Sequence, residues 1–220
     1  MQRRASHVDV NTPGAMDMNP TDAFAISGIA QNVARFSFRD EARWEELRDL
    51  FQPGGHISLS WYNGPINGFI EASRLMAGSP DILTKHWLGT PRIEVNGKRA
   101  LSEVDVAIKV RSRLGLFDVD LTSFARFFDL FELCDDARWR ISRRVAIYEQ
   151  DRIDPVQPSV LFWLLYRLAR FQRYPVALRH LAFGLARKGQ SLAGGIVTAQ
   201  SEEEKSLKQA ANIWLIGKNG

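Results

Sequence analysis

His86, in the segment TKHWLGTPRIEV, is the side chain here best placed to move a proton near neutral pH. Imidazole titrates at roughly 6.5, where most other side chains are locked in one charge state. Its segment alternates like a β-strand. His86 falls in phase with Ile82, Thr84 and Leu88, and Trp87 points the other way. If the Ile82–Leu88 face is inward, His86 is inward too. Arg143 poses the same question in RWRISRRVAIYEQ, sharing the phase of Trp139, Ile141, Val145 and Ile147, with Arg140, Ser142, Arg144 and Tyr148 opposite. Asp40 is the third polar candidate, between two helical stretches. Each has a plain structural reading. Asp40 precedes EARW and suits a helix N-cap. Arg143 can anchor a buried carboxylate such as Asp129 or Asp105. His86 can be a satisfied core or edge histidine. A histidine and an arginine on an inner face cost several kcal/mol, on the order of a lost transfer to water, unless paired or hydrated. They therefore satisfy neighbours or line a pocket that a ligand enters.

The elements that must position them follow from periodicity. TDAFAISGIAQNVARFSF and DEARWEELRDLF have helical spacing, and Pro53-Gly54-Gly55 breaks the chain after them. HISLSWYNG alternates as a half-buried strand ending in an Asn-Gly turn, and PINGFIEASRLMAG is a short helix. ILTKHWLGTPRIEV then reads as one strand and RALSEVDVAIKVRSR as a second. The stretch 116–133 is too long for one flat strand and must bend or bulge. RWRISRRVAIYEQ is the last strand. Helices followed by a run of antiparallel strands predict an α+β fold, a curved antiparallel sheet forming a cone backed by N-terminal helices. DPVQP at 154–158 marks a boundary. The expected organisation is a flexible leader over 1–19, a cone domain over 20–155 and a helical extension over 156–220.

The composition bounds the function. The chain has 220 residues, 45% hydrophobic and 25% charged, which suits a globular protein with a real core. One cysteine, Cys134, excludes an internal disulfide and a multi-cysteine zinc site, and fits a cytoplasmic location. The net charge is +4, and residues 156–220 hold nine Lys/Arg against three Glu. No nucleic-acid motif accompanies that basic tail, so no nucleic-acid partner is expected. No run approaches the roughly 18 apolar residues of a membrane span. The first residues have no apolar signal core. His56 and His180 read as structural, and His7 lies in the leader.

In their order and spacing, ARFSFRDEARWEELRDLF, KHWLGTPRIEVNGKRA, FARFFDLFELCDDARWRI and IYEQDRIDPV resemble the SnoaL-like branch of the nuclear-transport-factor-2-like, or cystatin-like, superfamily. The resemblance covers about residues 20–155. Relatives include scytalone dehydratase, hexachlorocyclohexane dehydrochlorinase and the small subunit of ring-hydroxylating dioxygenases. In the first two, an aspartate late in the first helix pairs with a strand histidine. Counting back from DLF puts that aspartate on Asp40, and HWLGTPRIE puts the histidine on His86. The dehydrochlorinase pattern adds a basic residue at Arg35 and a last-strand arginine at Arg143. The tyrosine of the scytalone dehydratase pattern has no counterpart beside Asp40, where Arg39 stands.

The resemblance implies a mechanism. Asp40 would hold one nitrogen of His86, and the other would take a proton next to a leaving group or carbonyl. Arg143 would stabilise the developing negative charge, with Arg35 either assisting it or anchoring Asp40. Ile57, Leu59, Trp61, Leu88, Phe127 and Val145 would wall a site for a small, cyclic, mostly apolar substrate. The chemistry calls for no cofactor and no metal. The expected function is thus a cofactor-independent lyase or isomerase. The alternative is a non-catalytic binding or assembly module, like the oxygenase small subunit. A homodimer or homotrimer is expected, since such sheets expose a broad face. The basic tail is expected to pack over the cone or at a subunit interface rather than on a membrane surface.

Overall fold

The computed structural model describes residues 20–77, 83–169, 171–187 and 189–217. The expected leader over 1–19, His7 within it, and Ile82 lie outside the described residues. Helix α1 (Pro20–Ala34) continues into a 3-10 turn at Arg35–Arg39. Helix α2 (Trp44–Asp49) starts later than its sequence suggests, because Ala42 takes a left-handed φ of 55° between Asp40 and the helix. Asp40 therefore ends the 3-10 turn and caps nothing: the residue before α2 is Arg43, with no side-chain cap.

The strands are β1 (Phe51–Ser58), β2 (Asn63–Pro65), β3 (Leu83–Leu88), β4 (Arg92–Asn96), β5 (Arg99–Leu114), β6 (Phe117–Leu133), β7 (Trp139–Pro155) and β8 (Val197–Thr198). Helix α3 (Ile66–Ala77) follows β2. Among the described residues they form one curved, unclosed sheet in the order β2-β1-β7-β6-β5-β3, with β4 also on β5 and β8 on β7. The α+β architecture is as the sequence predicts, with three differences. The segment expected as a single strand around His86 is two strands, β3 and β4, which pair with different stretches of β5. β1 lies parallel to β7 rather than antiparallel. And β1 runs through the Pro-Gly-Gly that was expected to end structure. Gly54 has φ +79°, and a Cβ on Gly55 would sit 2.9 Å from the Ile141 carbonyl oxygen, so the two glycines let β1 bulge against β7 without breaking.

β6 keeps one phase along its length: Val119, Leu121, Ser123, Ala125, Phe127, Asp129 and Phe131 are all buried. The extra residues fall in β7. The register passes from Leu130↔Arg143 to Phe131↔Ile141, and from Phe124↔Gln150 to Ala125↔Tyr148, so Ser142 and Glu149 are the bulged positions. Each bulge swaps the faces of everything beyond it. Ile141 faces the concave core, Arg144, Ala146 and Tyr148 follow it there, and after Glu149 the inward residues are Asp151 and Ile153.

The concave face packs against Ile29, Val33 and Phe36 from the N-terminal helix and turn, and Ile66, Phe69 and Ile70 from α3. Beyond β7 come α4 (Val160–Leu168), 3-10 turns at Phe171–Arg173 and Val176–Leu178, α5 (Arg179–Arg187) and α6 (Glu202–Ile216). Helix α6 covers part of the convex face, its Ala211 and Leu215 against Leu101, Phe128, Val145 and Ile147. The sheet is thus apolar on both faces near β7, which is why alternation alone gives no unique inside there.

Candidate functional site

The 3-10 turn after α1 carries Asp40 under β3, where its side chain is only 3% exposed. One carboxylate oxygen accepts the His86 backbone N–H at 2.6 Å, and the other accepts Nδ1–H of the same residue at 2.7 Å. The carboxylate fixes the proton on Nδ1, so Nε2 is left as an acceptor. The imidazole is held edge-on to Phe36, ring centroids 5.5 Å apart, and lines a cavity of about 120 Å³ inside the cone. Arg39 lines the same cavity, with its Nη1 3.5 Å from Asp40.

Charge states follow from this packing. Burial drives the His86 pKa below its ordinary value, against the pull of the Asp40 carboxylate. The ring is therefore neutral at neutral pH and able to accept a proton. Burial tends to raise the Asp40 carboxyl, but the hydrogen bonds from His86, the charge His86 takes on when acid protonates it, and Arg39 hold it below the usual carboxylate range. Burial likewise raises the Tyr148 phenol, which remains protonated. Tyr148 lines the cavity, and its oxygen accepts the Ser60 backbone N–H at 2.8 Å, which leaves its own O–H to donate. Two further cavity-lining residues carry buried oxygens, Ser60 Oγ and Gln190 Oε1, that have no partner among the described residues. The remaining wall is mostly apolar, with Phe69, Ile108, Val110, Leu121 and Phe183 among its residues, and Thr84 and Ser112 add two hydroxyls. The site offers one neutral base and several polar groups in an otherwise greasy hollow.

The expected site residues divide. Asp40 and His86 meet. Leu59, Trp61 and Phe127 line the cavity. Ile57 is fully buried in the core and Leu88 packs half-buried at its edge, and neither lines the hollow. Val145 lies on the convex face under α6, because the Ser142 bulge has swapped its phase. The same bulge turns Arg143 outward, where it is exposed and pairs in register with His56. The buried arginine is its neighbour Arg144, which donates to Asp129 at 2.7 and 2.6 Å. Its guanidinium lies 4.4 Å from the Phe36 ring and 4.6 Å from the Phe127 ring, as a support behind the cavity wall. Arg35 is exposed and faces a different groove, beside Phe24 and Gly28. Neither Arg143 nor Arg35 reaches the dyad, and the cation beside it is Arg39. Tyr148, Arg39 and the closing residues Leu181, Phe183 and Gln190 are among the residues the sequence reading missed. Two of these had a signal: Arg39 adjoins Asp40, and Tyr148 is the one hydroxyl-bearing aromatic in the last strand.

The sequence profile of the SnoaL-like domain matches residues 24–145, more than half of the chain. The chain belongs to the SnoaL-like domain family. A PEP2-like protein of Fusarium vanettenii is 28% identical over 149 residues, which cover 67% of this chain and 63% of that relative. The chain thus spans about 63% of that curated relative's length. Among solved structures, a scytalone dehydratase candidate from Novosphingobium aromaticivorans matches with a TM-score of 0.53 at 16% identity, over 64% of this chain and 99% of its own. LinA matches with a TM-score of 0.52 at 16% identity, over 64% of this chain and 97% of its own. At these identities the likeness shows a shared fold and nothing finer. The segment from Val156 onward lies outside the family match, yet α5 supplies part of the cavity wall. No helix among the described residues is long and apolar enough to cross a membrane.

Proposed function

We propose that this SnoaL-like chain is a cofactor-independent lyase or isomerase acting on a small cyclic, mostly apolar molecule that carries one or two oxygen functions. The observation that carries the reading is the orientation of His86: Nδ1 is spent on Asp40, and the ring borders a mostly apolar hollow. In an elimination, Nε2 of His86 takes the proton from carbon. The C–H electron pair becomes the new double bond as the bond to the leaving group breaks. Asp40 stabilises the imidazolium that results. Tyr148 O–H and the Arg39 guanidinium, both on the cavity wall, supply hydrogen bonds to the oxygen on which charge develops. Isomerisation uses the same base, with the proton returned to a different carbon. The likeness of fold to the scytalone dehydratase candidate and to LinA is consistent with this class of chemistry. Turnover of a panel of cyclic hydroxy-ketones and halides is the test. His86→Ala and Asp40→Asn should each abolish it while circular dichroism and melting show a folded protein. Full activity in either variant would end the reading.

A binding module is the second reading, and a specific observation favours it: Asp40 also ties down the His86 backbone N–H, as a purely structural clamp would. Under that reading the panel binds, shown by calorimetry, and nothing turns over.

A further inference from the structure

Helix α4 breaks the usual rule for a surface helix. Its nine residues, VLFWLLYRL, bury Phe162, while Val160, Leu161, Trp163, Leu164, Leu165 and Leu168 are exposed by 46–89%. A helix on a water-facing surface presents polar side chains outward. Here the outward face is aliphatic with one tryptophan, beside Leu116 at the β5–β6 turn, which is 83% exposed. Contiguous exposed apolar surface of this kind marks an interaction site.

The charge around it selects the partner. Residues 156–200 contain five arginines and one lysine and no aspartate or glutamate. Arg167, Arg173 and Arg187 are exposed. The adjoining hairpin adds Arg113 and Asp118, which offset each other. An apolar helix face with a tryptophan, with no carboxylate on the helix itself and a net excess of arginine around it, matches the boundary between headgroups and acyl chains in an anionic bilayer. A second copy fits less well, because an isologous contact would set this cationic surface against itself. Nine helical residues span roughly 14 Å at the α-helical rise, far short of a hydrocarbon core. The contact they can make is peripheral.

We propose that α4, with Leu116 beside it, docks this chain on an anionic lipid surface. Leu161 and Leu165 belong to two surfaces at once. They are exposed outward, and they line a second apolar cavity of about 330 Å³ beneath the helix. That cavity shares Leu114, Ile153 and Phe183 with the one bordered by His86. If the function proposed above holds, the docked face gives a lipid-dissolved guest an apolar way to the site. The docking itself does not depend on that function.

The test reads binding and requires no substrate. The full chain is floated with vesicles of phosphatidylcholine and phosphatidylglycerol in equal parts, and with phosphatidylcholine alone. The protein should rise with the anionic vesicles, less with the neutral ones, and less as salt is added. Leu164→Glu and Leu168→Glu, at exposed positions, should keep the melting temperature and weaken binding roughly ten-fold or more. Absence of binding to anionic vesicles would overturn the proposal, as would equal binding to neutral ones. So would a dimer, seen by sedimentation, that Leu164→Glu splits in a protein that ignores both kinds of vesicle.

Discussion

Among the described residues, two aspartate–histidine pairs are built to one plan. In one, Asp40 accepts the backbone N–H of His86 at 2.6 Å and its Nδ1–H at 2.7 Å. In the other, Asp151 of β7 accepts the backbone N–H of His180 at 2.7 Å and its Nδ1–H at 2.7 Å, with the Leu181 N–H as well at 2.8 Å. Both imidazoles are largely shielded, with side chains 9% and 7% exposed. They differ at the far nitrogen. His180 Nε2 meets the Tyr166 hydroxyl at 2.8 Å, and its ring stacks on that phenol with an interplanar angle of 19°. The His86 ring instead borders the hollow. An aspartate-held histidine is therefore a joint by default. What makes one of the two a candidate base is that its ring borders a hollow, where the other ring is capped by a phenol.

The comparison can be broken at its strongest point first. His86→Ala removes the proposed base and should cost roughly 10²–10⁴-fold in turnover, the usual contribution of a positioned general base. If turnover in that variant survives and His180→Ala abolishes it, the roles of the two pairs are reversed. The next largest effect belongs to the closed pair. Asp151→Ala strands three buried donors, at about 1–3 kcal/mol each when left unpaired, so a loss of roughly 3 kcal/mol or more is expected in urea unfolding. A loss below about 1 kcal/mol would show that water replaces the carboxylate and that the joint is not closed. Smaller again is Tyr166→Phe, which uncaps His180 Nε2 and loses one net hydrogen bond, about 1 kcal/mol by thermal melting. Turnover in Tyr166→Phe should still depend on His86.

The sequence reading found the open pair but not the closed one, and the reason is local. Asp40 and His86 both sit in blocks whose order resembles known relatives, whereas His180 lies beyond any such block, and Asp151 and His180 both lie past the end of the family match at 145. His180 was read as structural, which agrees with its three bonded atoms, but its partner was not foreseen. The fold class, the helix-backed curved sheet and the long strands were legible because each long strand carries its own alternation. The phase of β7 was not. Two bulges, at Ser142 and Glu149, change which residues face inward, and α6 buries Val145 and Ile147 on the outer face. An apolar stripe on the wrong side therefore looked like the core and drew Arg143 inward with it. The arginine that is inside, Arg144, neutralises Asp129, one of the two carboxylates the sequence had offered as a partner for Arg143.

The finest test of the open pair uses pH. Burial holds the His86 pKa below 6.5 in the folded protein, whereas in the unfolded chain it returns to about 6.5. Below that value the unfolded chain takes up a proton that the folded one refuses. Stability is thus full above pH of about 6.5 and falls as the pH drops toward the folded pKa, with a slope of at most about 1.4 kcal/mol per pH unit for this one proton. His56 bends the curve the same way, since burial and then Arg143 lower its pKa too. The informative quantity is the difference between the wild type and His86→Gln. If His86 is the buried, neutral base, the substitution should remove part of the acid-side loss and leave the curve above pH of about 7 parallel to the wild type. The acid limb of turnover should then have its midpoint below 6.5, the ordinary value for a histidine. A midpoint above that value would mean that the Asp40 charge outweighs burial, and that the resting histidine is already an acid.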